Sequence, residues 1–211
     1  TGSTGVGRGI AAGAAQTIKR VTLELGGKSA AVVCADADIE KAAAAAPSAV
    51  FGNAGQDCCA RSRILVESSQ VDNFLAAMEE AVKAIRVGDP LDASTEMGPL
   101  ISASHREKVG SFVTGEGAVA FRGSAPDGPG YWFPPTVLAP MSNTDRASRE
   151  EIFGPVACVI PFDGEEEAIR IANDTEYGLS GSIWTRDGGR ALRVARAIDT
   201  GVLSINSNSS V

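Results

Sequence analysis

Apolar residues recur along this chain in two rhythms. Short, nearly continuous apolar runs at residues 29–34, 63–67, 156–162, 182–184 and 202–206 predict strands buried on both faces, and residues 20–25 alternate, with Val21, Leu23 and Leu25 on one side and Thr22 and Glu24 on the other. Between them lie helical patterns. A helix is predicted over about 10–19, and a second starts at Asp36 and Asp38 and runs through the alanines at 42–46, with Pro47 expected to kink or break it. Ser68 or Ser69 is placed to cap a third helix, whose stripe of Val71, Phe74, Leu75, Met78, Val82 and Ile85 reads as core. Asp163 with Glu166 resembles a capping box ahead of a helix through Ala172, and Asp187 starts another. Strands separated by helices predict an α/β fold, a mostly parallel sheet with helices on both faces.

Composition narrows the class. With 44% hydrophobic and 21% charged residues in 211, the chain can bury one substantial core or two small ones. A net charge of -7 argues against nucleic acid and anionic membrane surfaces as partners, and no apolar run is long enough for a spanning helix. A cytoplasmic enzyme is the expectation. Cys34, Cys58, Cys59 and Cys158 form no C-x-x-C pair and, with the single His105, show no metal-ligand spacing, so no metal is expected and the thiols read as reduced. His105 has polar neighbours and reads as a solvated surface histidine. Trp132 and its aromatic neighbours, behind a glycine- and proline-rich loop at 123–135, read as packing.

Chemistry concentrates at three places. Gly52 and Gly55 let the chain leave a helix sharply, which would hold Cys58 on a short stiff loop as a candidate nucleophile; two adjacent cysteines could equally be small core residues. Glu24 precedes Gly26-Gly27 at a strand end, where partial desolvation would favour its neutral form and make it a useful base, though a solvated edge glutamate fits the same pattern. Lys28 reads as structural or solvated. The opening glycine-rich stretch at 1–9 has a phosphate-loop shape but lacks the Lys and Ser/Thr of a nucleotide loop and the strand of a dinucleotide fingerprint, so a plain turn stays open.

Three motifs together, residues 23–29 around Glu24-Leu25-Gly26-Gly27-Lys28, residues 55–58 ending at Cys58, and residues 150–156 around Glu151 and Phe153, resemble the aldehyde dehydrogenase superfamily in order and spacing. The resemblance covers essentially the whole chain and implies the family's catalytic domain plus the end of its Rossmann-like cofactor domain. It divides the chain into 1–23, the remnant of the NAD(P)-binding domain; 24–206, the thiol domain; and 207–211, the start of a C-terminal segment, as expected of a fragment. It implies Cys58 as nucleophile and Glu24 as the base that hydrolyses the thioester. Gly2, Ser3, Leu25, Glu151 and Phe153 would hold NAD or NADP, Ser3 against phosphate and Glu151 on a ribose. Asp57, Cys59, Ser207 and Ser209 would line the pocket for a small-molecule aldehyde, and Asp57 with the polar tail points to one carrying an amino or other polar group. The family's second oxyanion donor, an asparagine, would lie outside these residues, and the parent protein would be a homodimer or homotetramer. A cysteine-dependent esterase or acyltransferase, or a non-catalytic fragment, are the competing readings.

Overall fold

The computed structural model describes residues 1–113 and 119–208. Seven strands form one sheet in the order β3-β4-β5-β2-β1-β6-β7. They are β1 (Ala30–Val33), β2 (Arg63–Glu67), β3 (Val119–Arg122), β4 (Thr136–Leu138), β5 (Val156–Phe162), β6 (Ser180–Trp184) and β7 (Val202–Ile205). Every neighbouring pair is parallel except β3 with β4. Successive strand residues point to opposite faces, yet every residue of β1 and β6 is buried, so the sheet is covered on both sides. The expected fold class is the observed one.

The helices are α1 (Thr4–Ala15), α2 (Ile39–Phe51), α3 (Val71–Lys83), α4 (Ala103–Gly110), α5 (Arg146–Arg149), α6 (Glu165–Asn173) and α7 (Gly188–Ala197). α2 and α3 pack on each other and against β2 and β5, while α6 and α7 pack together against β1 and β6. Phe74, Met78 and Val82 of the α3 stripe are buried in the core.

Local rules failed at five places, each for a physical reason. Residues 20–25 form no strand: alternation makes a strand only where a ladder partner exists, and among the described residues the segment's backbone bond is a single one, Gly2 N–H to Glu24 O at 3.0 Å. α1 begins at Thr4, six residues before the expected start, because Ser3 caps it by accepting from the Val6 N–H at 3.4 Å. α2 runs through the buried Pro47 as one helix to Phe51. The sharp exit comes afterwards, where Asn53 (φ 51°) and Ala54 (φ 55°) are left-handed. Ser68 does not cap α3; its hydroxyl donates to Phe162 O at 3.0 Å and a 3-10 turn precedes the helix. The capping box expected at α6 does not form: Gly164 (φ 83°), without a side chain, is at the cap, its N–H donates to Glu67 Oε1 at 3.0 Å, and Glu167 Oε2 accepts from the Asp163 N–H at 2.9 Å.

Candidate active site

The loop that carries Cys58 is fixed from both sides by glycines. A Cβ on Gly27 would stand well inside contact with the Cys58 carbonyl oxygen, and one on Gly55 (φ 69°) would overlap Gly154 O. The Gly26-Gly27 turn, the Cys58 loop and the Gly154-Pro155 turn are therefore layered backbone on backbone. Asn53 and Gln56 exchange side-chain bonds, Asn53 Nδ2–H to Gln56 O at 3.0 Å and Gln56 Nε2–H to Asn53 O at 3.2 Å, while Gln56 Oε1 accepts from the Ile101 N–H at 3.0 Å.

Two buried arginines, unremarked in the sequence pattern, finish the framing. Arg61 donates to the Cys59 carbonyl and to Ser180 Oγ at 2.8 Å. Arg63 donates to Lys28 O, Ile171 O and Ala172 O, each at 2.9 Å, and so ties the carbonyls at the C-terminal end of α6 to the loop that follows Glu24. Their alternation at the entry to a buried strand is the signal that could have found them, since a charged side chain there must be paired.

One cleft of about 440 Å³ is lined by Glu24, Leu25, Asp57, Cys58, Glu151 and Phe153 together with Gly2 and Ser3, so eight of the residues singled out from the sequence meet there. Cys59 and Ser207 are not among its lining residues, and Ser209 lies outside the described residues. Cys59 turns its carbonyl to Arg61 and Ser180, and its Sγ stands 4.0 Å from Cys58 Sγ. Ser207 follows β7, and the neighbouring Asn208 bonds Ser182 and Ala45.

Burial, and then the adjacent Cys59, push the Cys58 thiol up to about 11. About one molecule in ten thousand would carry the thiolate at pH 7, so the group needs a base at the moment it reacts. Glu24 is exposed at the cleft wall, within the same cavity. The spacing of the cysteines shows no metal pattern, but adjacency does what spacing does not: ligand atoms of Asp57, Cys58 and Cys59 all lie within 4.8 Å of one another.

The cleft also suits a dinucleotide's ribose and nicotinamide. Glu151 Oε1 accepts from the Gly27 N–H at 2.9 Å, and its carboxylate occupies the space a Cβ on Gly26 would need. A carboxylate in a cleft can accept two vicinal hydroxyls. Phe153 is exposed and left-handed (φ 57°), a strained setting for an aromatic residue, and its carbonyl meets His105 Nε2 at 2.6 Å. Ser3 brings the N-terminus of α1 to the cleft, and Gly7 lets that helix sit on Leu25, whose Cδ1 would be 2.7 Å from an added Cβ.

One expectation fails here. His105 is half-buried, lines the cleft and holds Phe153, because α4 turns its first exposed-looking face inward; Lys108, one turn on, joins it. Of the two settings left open for Lys28, structural or solvated, the structure shows a side chain 1% exposed, with no hydrogen-bond partner for Nζ among the described residues, and burial pulls it down to about 8. A helix whose neighbours are all polar gives no apolar stripe from which its buried side could be read.

Comparison with known proteins agrees with the motifs. The model of the aldehyde dehydrogenase family matches residues 1–211. The chain is 44% identical over 210 residues to geranial dehydrogenase of Castellaniella defragrans, covering 98% of this chain and 44% of that protein. It is 42% identical over 214 residues to a betaine aldehyde dehydrogenase of Rhizobium johnstonii, with 98% and 44% covered. The crystal structure of betaine aldehyde dehydrogenase from Staphylococcus aureus in complex with NAD+ superposes with a TM-score of 0.93 at 40% identity, covering 100% of this chain and 43% of that one. The chain thus spans less than half the length of the relatives it matches.

Proposed function

We propose that this chain, which belongs to the aldehyde dehydrogenase family, carries the thiol chemistry of an enzyme that oxidises an aldehyde to a carboxylic acid with NAD or NADP. The observation that supports the reading is one cleft whose lining brings together Cys58, Glu24, Glu151, Phe153 and Ser3. In this reading residues 1–23 finish the cofactor domain, 24–206 form the catalytic domain and 207–211 begin a C-terminal segment.

Cys58 Sγ passes its proton to the Glu24 carboxylate of the same cleft, which returns it to solvent, and adds to the aldehyde carbon, forming a thiohemiacetal whose oxyanion the Cys58 N–H can hold. Bound NAD(P) supplies the hydride acceptor. Gly2, Ser3 and Leu25 shape its side of the cleft, Glu151 binds ribose hydroxyls and Phe153 packs beside them. A thioester on Cys58 is left when hydride departs, and Glu24 takes a proton from the water that attacks it, freeing the acid and the thiol. Glu24 is the carboxylate that this reading assigns to the release of the acyl group.

Asp57 beside Cys58 supports an aldehyde bearing an amino or other polar group, with Cys59, Ser207 and Ser209 as further contacts in the whole protein. The outer strand β7, with Val202 and Ile205 exposed, supports pairing with a second copy in a homodimer or homotetramer. Four free thiols support a reducing, cytoplasmic setting. No helix among the described residues is long and apolar enough to cross a membrane. The test is NAD(P)H formation by the full-length protein over a panel of aldehydes, beside Cys58→Ser. The reading expects turnover at least about a thousandfold lower in the variant; turnover within tenfold of the parent would refute it.

A further inference from the structure

The three consecutive side chains at the mouth of the nucleophile loop form a cluster that the reaction above does not use as a unit. Cys58 Sγ and Cys59 Sγ stand 4.0 Å apart, and a carboxylate oxygen of Asp57 completes a set of ligand atoms within 4.8 Å of one another. Two thiolates on one tetrahedral zinc, at Zn–S of about 2.3 Å, are separated by about 3.8 Å. A disulfide would need them at about 2.05 Å. The observed separation is that of two free thiols in contact, and it lies within a few tenths of an ångström of the spacing a shared ion needs.

We propose that Asp57, Cys58 and Cys59 form a binding site for a thiophilic divalent cation of the zinc type, which takes the nucleophile out of use while it is bound. Two thiol protons leave, two metal–sulfur bonds and one metal–oxygen bond form, and solvent fills the fourth position. No electron is transferred and no oxidant is required.

The surroundings favour this. The Cys59 N–H donates to Asp57 Oδ1 at 2.9 Å, which folds the carboxylate back over the following residue and towards both sulfurs. Arg61 and Ser180 pin the Cys59 carbonyl, so its side chain leaves the backbone in a fixed direction. Asp57 is exposed and Cys58 lines an open cleft, giving an ion a route in. Soft thiolates select zinc over magnesium or calcium. The other two cysteines, Cys34 and Cys158, are buried and cannot compete.

The inference rests on three side-chain positions and not on the reaction assigned to Cys58, so it is tested without aldehyde or cofactor. Zn2+ binding to the full-length protein is measured by titration calorimetry beside Cys59→Ser, with Co2+ as the spectroscopic probe. We expect thiolate-to-cobalt charge-transfer absorption, at least tenfold weaker zinc binding in Cys59→Ser, and at least tenfold slower alkylation of Cys58 by iodoacetamide when zinc is present. Equal zinc affinity in the parent protein and Cys59→Ser, or alkylation unaffected by zinc, would overturn the proposal. If Cys59→Ser does not fold, Asp57→Asn decides: binding at least threefold weaker supports the site, and unchanged binding overturns it.

Discussion

Gly27 abuts the carbonyl of Cys58 so closely that residue 27 has no room for a Cβ. The loop after the base and the loop of the nucleophile are one piece of packing, and displacing either moves both. Gly27→Ala in the full-length protein is expected to lower kcat at least tenfold while the far-UV circular dichroism is kept, at a stability cost of about 1–3 kcal/mol. Gly52→Ala, where nothing lies within 4 Å of the added Cβ, is the control and should leave both nearly unchanged.

The Cys58 thiol, raised to about 11 first by burial and then by Cys59, stays protonated through the neutral range. Its alkylation by iodoacetamide without cofactor should therefore speed up about tenfold per pH unit between pH 7 and 9, with no plateau near the ordinary thiol value of about 8.5. Mass spectrometry of the Cys58 peptide against pH reads this.

Lys28 contributes in the opposite sense. Its folded value of about 8, set first by burial, lies below its unfolded value, so between about pH 8 and 10.5 the unfolded state binds more protons and this group makes stability rise with pH. Lys28→Met should stabilise the protein at pH 7 by up to about 3 kcal/mol and remove that rise. Urea unfolding of both proteins at pH 7 and 9.5 measures the difference.

His105 holds the carbonyl of a left-handed Phe153 at 2.6 Å, with the two rings edge to face at 6.1 Å. His105→Ala frees a residue whose backbone angle costs about 1–3 kcal/mol to maintain. The KM for NAD(P) should rise about threefold to tenfold, equivalent to about 1 kcal/mol, with the KM for aldehyde little changed. Initial-rate kinetics with each substrate varied in turn separates the two.

The legible parts of the sequence were those where burial is symmetric. β2 and β5 span the ranges read from the sequence, because their middles are apolar and covered on both faces, and the one buried charge in β2, Arg63 at its entry, is paired with carbonyls. Residues 20–25 alternate as well as any strand in the chain, but alternation says nothing about whether a partner strand is at hand. Pro47 failed to break α2 because a buried helix packed on α3 and the sheet has tertiary contacts that outweigh one missing hydrogen bond. Cys58, Glu24 and Glu151 could be named from motifs, yet only coordinates bring residues 24, 58 and 151 to one cleft. Nothing in the local pattern at His105 or Lys28 reveals that one faces that cleft and the other lies wholly inside.

In the proposed reaction Cys58 forms an acyl bond that Glu24 removes, and one variant tests both halves of that pairing. Glu24→Gln, mixed with aldehyde and NAD(P) and acid-quenched, is read by intact-mass and peptide mass spectrometry. The expected result is one acyl adduct per active site on Cys58, with a burst of NAD(P)H of matching size and slow turnover afterwards. An adduct on another residue, or steady turnover at the parent rate with none, would contradict it.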